Sequence, residues 1–468
     1  MKKTLPPLLA FAVLLALAPF PLRAEEGWKA GAASTIITPE QFLWMAGYGS
    51  RKAPADGKVT ELKGKALALE DAAGHTALIL TLDLVGIDRE QSQMLCRRIA
   101  ERHGLERPQI AICTSHTHSG PVVGRNLGPL HYWSVDDAQK KSIDDYAAVL
   151  LEKLVALAGE ALAARAPARL QWGGGKATFA VNRRENKPYD AVPERREHGD
   201  LAGPVDHDVP VLSVRDPEGN LKAVLFGYAC HATVLSANQW NADYPGYAQA
   251  AVEAAHPGSV ALFWAGCGGD QNPLPRGEVA LAEAYGAELA ESVEEVLDAP
   301  MEILAPRLDT RYREIPAPLA EVPTRDQLEA TAASTNRFEV ARARLLLRQL
   351  EKRGALDGGY PYPVSAWLFG DGQVEWIALG GEVVVDYARR LKAERLAQRT
   401  WVAGYSHDVM AYIPSLRVLR EGGYEGGGSN VYYGLPALWG EAIEETIVKA
   451  AHDLAGAPTA AAAAAAKK

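Results

Sequence analysis

Short apolar runs alternate with stretches of helical spacing along most of this chain. Thr76 to Asp83 (TALILTLD) is nearly all apolar and is bounded by Gly74 and Gly86. A run of that length between turn residues predicts a strand buried on both faces. Gln109 to Cys113, Val209 to Val214, Lys222 to Cys230 and Ser259 to Trp264 read the same way. The turn Asp216-Pro217-Glu218-Gly219 joins Val209–Val214 to Lys222–Cys230, with residues whose backbone preferences suit a reversal. Glu375 to Leu379 and Trp401 to Gly404 read as late strands. Apolar residues three and four apart predict helices over Gln91 to His103, Ser142 to Arg165, Glu278 to Leu297 and Val384 to Ala397, with Pro167 as a stop after the second. Gln327 to Lys352 is the longest helix candidate. Helices alternating with short apolar strands predict a mixed α/β fold of layered sheets covered by helices.

The 468 residues allow about three domains on length alone. No linker divides them: Arg183 to Asp206 is polar and turn-rich but too short to separate domains, and no internal repeat is present. One large domain is therefore expected over 25–456. Residues 1–24 read as a signal peptide. Lys2-Lys3 is followed by an eleven-residue apolar run, Leu8 to Ala18, then Pro19, Pro21 and Ala24. That run is too short to span a bilayer, although an uncleaved anchor is the alternative. The expected location is the periplasm or the cell exterior, with no stable membrane span. Residues 457–468 form an alanine-rich tail of low complexity.

Composition narrows the function. A chain that is 48% hydrophobic and 23% charged is neither disordered nor fibrous. Its net charge of −9 makes it a poor partner for nucleic acid. Cys96, Cys113, Cys230 and Cys267 form no CxxC pair. In an oxidising compartment they allow two disulfides in three connectivities. The alternative is four small buried hydrophobes.

The chemistry gathers at the ends of the predicted strands, where α/β sheets place ligands. Ser115-His116-Thr117-His118-Ser119-Gly120-Pro121 follows the strand ending at Cys113. Residues two apart point to one side of an extended segment, so His116 and His118 can converge, and one or both imidazoles suit zinc. The alternative is a pair of surface or hydrogen-bonded histidines. His231 follows the strand Lys222–Cys230 in the same layout, with small residues after it. Gly266-Cys267-Gly268-Gly269-Asp270-Gln271-Asn272-Pro273 follows a third strand. Its glycines let backbone N–H groups approach a ligand or an oxyanion, or else form a plain turn. Gly380-Gly381-Glu382 ends a fourth strand. Its carboxylate could complete a His/His/Glu zinc set with a position left for water.

These segments, with Ala411-Tyr412-Ile413-Pro414, the loop Tyr424-Glu425-Gly426-Gly427-Gly428-Ser429 and the opening Ala30 to Pro39 with Gly47-Tyr48, occur in an order that resembles the catalytic domain of the neutral/alkaline, non-lysosomal ceramidases. The resemblance spans roughly residues 28–450. It implies one zinc ion held by His116, His231, Glu382 and Tyr412, with Tyr412 as a phenolate ligand. It implies that His118 lies beside the reacting amide, that Asn182-Arg183 contacts the substrate head group, and that Tyr424 can hydrogen-bond the carbonyl or tetrahedral oxygen. Two departures stand out. The family's catalytic turn reads Gly-Asp-x-Ser-Pro, whereas here Asn272 replaces the Ser. An amide cannot be a nucleophile but can donate to an oxyanion. Full ceramidases continue into a C-terminal immunoglobulin-like domain, whereas this sequence stops soon after Ala451.

The expected function is a secreted or periplasmic zinc-dependent amidohydrolase. It would cleave the N-acyl amide of ceramide or a related small amphiphile by zinc-activated water, with transient contact to a membrane surface. His118 would carry the proton to the leaving amine, Asp270 would orient His118, and Asn272 and Tyr424 would stabilise the oxyanion, with Arg183 on the substrate. Trp133 and Trp240 could form an apolar rim. Rival readings are a non-catalytic zinc-binding periplasmic protein and a metallo-hydrolase of esters or phosphoesters. The last needs a second metal, to which Asp83 and Asp243 could contribute.

Overall fold

The computed structural model describes residues 27–457, so the leader and almost all of the alanine-rich tail lie outside the described residues. The larger sheet runs, edge to edge, Val260–Ala265, Leu221–Tyr228, Asp208–Arg215, Ala166–Lys176, Trp28–Ile36, Lys63–Glu70, Thr76–Leu82 and Ile110–Thr114, with the short strand Glu302–Ile303 added to Ala166–Lys176. Its centre is antiparallel. Its outermost pair on each side is parallel, and each of these pairs is connected by a helix, Asp243–Ala255 on one side and Arg89–His103 on the other. Parallel neighbours require such a crossover. The two halves join only through Trp28–Ala30 against Ala166–Ala168. There the sheet bends, and the edge strands Val260–Ala265 and Ile110–Thr114 come back into contact.

A second sheet, Leu308–Pro318, Gly359–Phe369, Val374–Leu379 and Thr400–Ala403, packs into this curl. The shared core holds Leu67, Leu69, Ile79, Leu225 and Trp264 from the larger sheet and Trp367, Trp376 and Trp401 from the smaller. The outer face of the larger sheet carries the alternate residues Ala66, Ala68, Leu78 and Leu80 under the helices Arg89–His103 and Asp137–Ala163. Val224, Phe226 and Phe263 lie under Asp243–Ala255 and Val279–Asp298. The outer face of the small sheet, with Ile377 and Leu379, is covered by Val385–Glu394 and Ile443–Ala455. Both faces of strands such as Thr76–Leu82, Ile110–Thr114, Leu221–Tyr228 and Val374–Leu379 are therefore dry, which is why they read as continuous apolar runs.

The predicted strands and most helices appear within a few residues of their expected bounds. One helix does not. Gln327–Lys352 is two helices, Arg325–Ala332 and Arg337–Arg353. Asn336 caps the second by accepting from the Phe338 N–H at 3.0 Å, so the chain between them is non-helical. The longest helix is instead Asp137–Ala163, of 27 residues. All four cysteines are free and buried. Burial pushes the Cys113 thiol up to about 12, so it is packing rather than a nucleophile.

Candidate active site

The curl brings four strand ends to one point. His116 follows Ile110–Thr114, His231 follows Leu221–Tyr228, the glycine turn follows Val260–Ala265, and Glu382 follows Val374–Leu379. The short strands Glu382–Val383 and Tyr412–Ile413 pair in parallel with Glu382 opposite Tyr412, so main-chain register alone sets these two side by side. Backbone bonds lock the ends together: His118 N–H to Ala232 O at 3.2 Å, His231 N–H to Gln271 O at 3.0 Å, and Glu382 N–H to Ala411 O at 2.8 Å.

The glycine turn is a spacer, not an oxyanion hole. The N–H groups of Gly266, Gly268 and Gly269 donate to the carbonyls of Tyr228, Gly266 and Val383. A Cβ on Gly269 would stand 2.7 Å from Glu382 O and 2.9 Å from Val383 O. Glycine is needed there so that the strand end carrying Glu382 can pack directly on the turn.

Two residues of the site lie in the left-handed region that side chains avoid, His116 at φ 61° and Tyr405 at φ 50°. Their rings lie 4.4 Å apart between centroids. Such conformations cost roughly 1–3 kcal/mol each and persist where the surroundings over-determine them.

The proton inventory shows what this group requires. His116 Nδ1 lies 2.5 Å from Val85 O and His231 Nδ1 lies 2.7 Å from Gly268 O. A carbonyl only accepts, so both Nδ1 atoms carry the proton, and in a neutral imidazole Nε2 is then a lone pair. Those Nε2 atoms lie 3.1 Å and 2.9 Å from Glu382 Oε2, which has no hydrogen-bond donor of its own. Burial, with help from Arg183, depresses His231 to about 4, so it is neutral at pH 7. Acceptor thus faces acceptor across a dry space, an arrangement that a cation relieves. His118 Nε2 lies 3.0 Å from His116 Nε2, and the Tyr412 hydroxyl lies 3.0 Å from His231 Nε2. The three histidines offer ring nitrogens within 4.8 Å of one another. Two imidazoles, a carboxylate and a phenol oxygen fit zinc. Tyr433, unmarked by any sequence signal, donates its hydroxyl to Glu382 Oε1 and fixes the carboxylate from behind.

Above this group opens a cleft of about 390 Å³, lined by His118, Tyr412, Arg183, Asn272 and Tyr424 among others. His116, His231 and Glu382 are almost wholly buried, beneath the His118 and Tyr412 rings that reach its surface. His118 is held from two sides. Its carbonyl accepts from Arg51 Nη2 at 2.9 Å. Gly47, at φ 95°, lies so close that a Cβ there would stand 2.4 Å from the ring. Burial first, then His116 and His231, pushes the His118 imidazole well below its usual value.

Arg183 uses three of its donors on the protein: Nε to Glu425 at 2.7 Å, Nη1 to Asn272 Oδ1 at 3.2 Å and Nη2 to the Tyr412 hydroxyl at 3.1 Å. It positions Asn272 and Tyr412. With Asn272 Oδ1 taken, its Nδ2 is the free donor.

Several expected contacts are not made. Asp270 does not reach His118. Its carboxylate accepts from Val385 N–H at 2.9 Å and Asn182 Nδ2 at 3.2 Å, while His118 Nδ1 has no hydrogen-bond partner among the described residues. Trp133 and Trp240 form no rim. Trp240 is buried in the helix-covered core, and Trp133 lines a different cavity. Asp83 and Asp243 supply no second metal site. Asp83 accepts from Lys63 N–H, and Asp243 from the N–H groups of Val234, Leu235 and Tyr244.

A cleft floored by imidazole and carboxylate donors has the layout of a hydrolase site. The family model described as neutral/alkaline non-lysosomal ceramidase, N-terminal, matches residues 28–279, more than half of the sequence. The chain belongs to that family. The matched span holds His116, His118, Arg183, His231, Asp270 and Asn272 but ends before Glu382, Tyr412 and Tyr424. Among solved structures it is similar to neutral ceramidase from Pseudomonas aeruginosa, with a TM-score of 0.70 at 20% identity over 93% of this chain and 76% of that one. A ceramidase complexed with C2 gives 0.70 at 20% identity over 92% and 75%. These likenesses establish the fold. No curated protein matches the chain.

Proposed function

We propose that this protein is a zinc-dependent amidohydrolase acting on an N-acylated amine. The observation that carries the reading is the set of facing acceptors, His116 Nε2, His231 Nε2 and Glu382 Oε2, at the floor of an open cleft. His116, His231, Glu382 and Tyr412 would hold the ion. When bound, zinc supplies a Lewis acid for the scissile carbonyl and acidifies water toward neutral pH.

The remaining work falls to the chain. His118, neutral at pH 7 and at the boundary between ion site and cleft, takes the proton of the attacking water and passes it to the leaving nitrogen. Tyr424, whose ring centroid lies 5.2 Å from that of Tyr412, donates its hydroxyl to the tetrahedral oxygen. Asn272 Nδ2, aimed by Arg183, is a second donor. No serine is needed, because the nucleophile is water. The basic and apolar leader supports export, so the reaction belongs to the periplasm or the cell exterior.

The test is hydrolysis of a panel of ceramides, N-acyl amino acids and simple esters by zinc-loaded and chelator-treated protein, with His116→Ala and Glu382→Ala alongside. The reading expects zinc and amide hydrolysis to be lost together in both variants. Variants that keep full zinc and full turnover overturn it.

A further inference from the structure

We infer that the cleft selects an amide substrate carrying an anionic group, with Arg276 as the residue that reads the charge. The inference rests on the amidohydrolase reading and narrows its substrate away from ceramide.

The first observation is the wall of the cleft. It contains no aliphatic side chain, and its aromatic surface comes from tyrosines, each with a hydroxyl. The alkyl chains of a ceramide would lie largely against guanidinium, ammonium and carboxylate groups, with little beyond tyrosine ring faces to bury them. A space of about 390 Å³ suits a compact, polar substrate.

The second observation is charge. Arg183, Arg184, Lys187 and Arg276 line the cleft against Glu185, Glu421 and Glu425, on a chain whose net charge is −9. Glu425 is held by Arg183 and Arg184, each at 2.7 Å, and Glu421 by Arg184 at 2.9 Å. Those partners cancel locally. Arg276 and Lys187 are different: both are exposed, and neither side chain makes an ion pair or hydrogen bond among the described residues, but of the two only Arg276 follows the strand that carries Asn272.

The third observation is placement. Arg276 follows the short strand Gln271–Pro273 that carries Asn272. The next residue, Gly277, donates its N–H to Val234 O at 2.8 Å, which pins the segment beside the loop after His231. Tyr48 lines the same cleft, and its ring centroid is 4.9 Å from that of His118. An unpaired guanidinium on the wall of the cleft that His118 also lines is a fork for a carboxylate. The substrate class that satisfies it is an N-acyl amino acid or a comparable acylated amine with a negative charge near the amide.

The test uses a pair of probes that differ in one group, N-acetylglycine and N-acetylethanolamine, with a short-chain ceramide as the third substrate. The zinc-loaded enzyme should favour N-acetylglycine in kcat/KM by about 10-fold. Arg276→Ala should bring that ratio to near one, and Arg276→Lys should retain most of it. Calorimetry on chelator-treated protein gives an independent readout: N-acetylglycine should bind more tightly than N-acetylethanolamine, and the difference should vanish in Arg276→Ala. Equal turnover of the pair, or a preference for the uncharged amides, overturns this inference and leaves the amidohydrolase reading standing. Arg276-dependent binding without turnover of any amide supports the charge selection and sinks the amidohydrolase reading. Arg276→Ala with an unchanged ratio removes Arg276 from the role.

Discussion

Tyr433 carries a strong demand at the scale of single residues. Its hydroxyl is the donor to Glu382 Oε1, and the other carboxylate oxygen faces the imidazoles. Partners that orient a metal ligand typically contribute 10–100-fold to metal affinity. Tyr433→Phe should therefore weaken zinc about 10–100-fold in a chelator competition, with an unchanged fold by circular dichroism. Undiminished affinity would mean that Glu382 is placed by its backbone alone. The sequence made His116, His118, His231 and Glu382 visible, because each follows an apolar strand. It did not expose Tyr433 or Tyr405, whose roles come from contacts 51 and 174 residues away along the chain. Asp270 was legible as a carboxylate of the glycine turn, expected to orient His118, but its partners were not. Only the fold shows that Asn182 and Val385 claim it before His118 can.

At the scale of elements, the site depends on strand ends packed without a spacer. Gly269→Ala places a methyl group against the backbone oxygens of Glu382 and Val383 at 2.7 and 2.9 Å. Backbone cannot rotate away, so the substitution should cost about 1–3 kcal/mol in urea denaturation and lower zinc content as Glu382 shifts. A variant as stable as the parent would show that the turn is loose. The apolar runs were readable as strands because both faces are dry. The strands Trp28–Ile36 and Ala166–Lys176 were not, since exposed and buried residues mix along them. The break between Arg325–Ala332 and Arg337–Arg353 was hidden because apolar spacing continues through it, while the cap at Asn336 is a local polar bond.

At the scale of the whole molecule, buried carboxyls give a pH dependence. Burial raises Asp243 to about 6 and Asp408 to about 7, against roughly 3.9 for an unfolded Asp. Between these values the folded chain binds more protons than the unfolded one. Stability is thus fully present below pH ~4 and falls as pH rises through ~7 on account of these groups. Asp408 also accepts from the Tyr360 hydroxyl, a bond that an amide oxygen can keep. Zinc-free Asp408→Asn should lose less stability than the parent between pH 5 and pH 8 in urea titrations. Identical pH profiles would contradict the raised carboxyl.

The same scale explains why His116 and His231, on strands far apart in the sheet order, meet at all. The sheet bends at its short central pairing, and Gly404 to Tyr405 closes the gap, with Gly404 N–H on Ala265 O at 3.0 Å and Thr114 N–H on Tyr405 O at 3.2 Å. No local pattern in the sequence encodes that closure.

The account stands on a cation among His116, His231 and Glu382. Anomalous diffraction from crystals of the purified protein, collected on both sides of the zinc absorption edge, tests it most directly. The account predicts one peak between His116 Nε2, His231 Nε2 and the Glu382 carboxylate, with the Tyr412 oxygen beside it. A zinc-replete crystal with no peak there, or with its peak elsewhere, would contradict it.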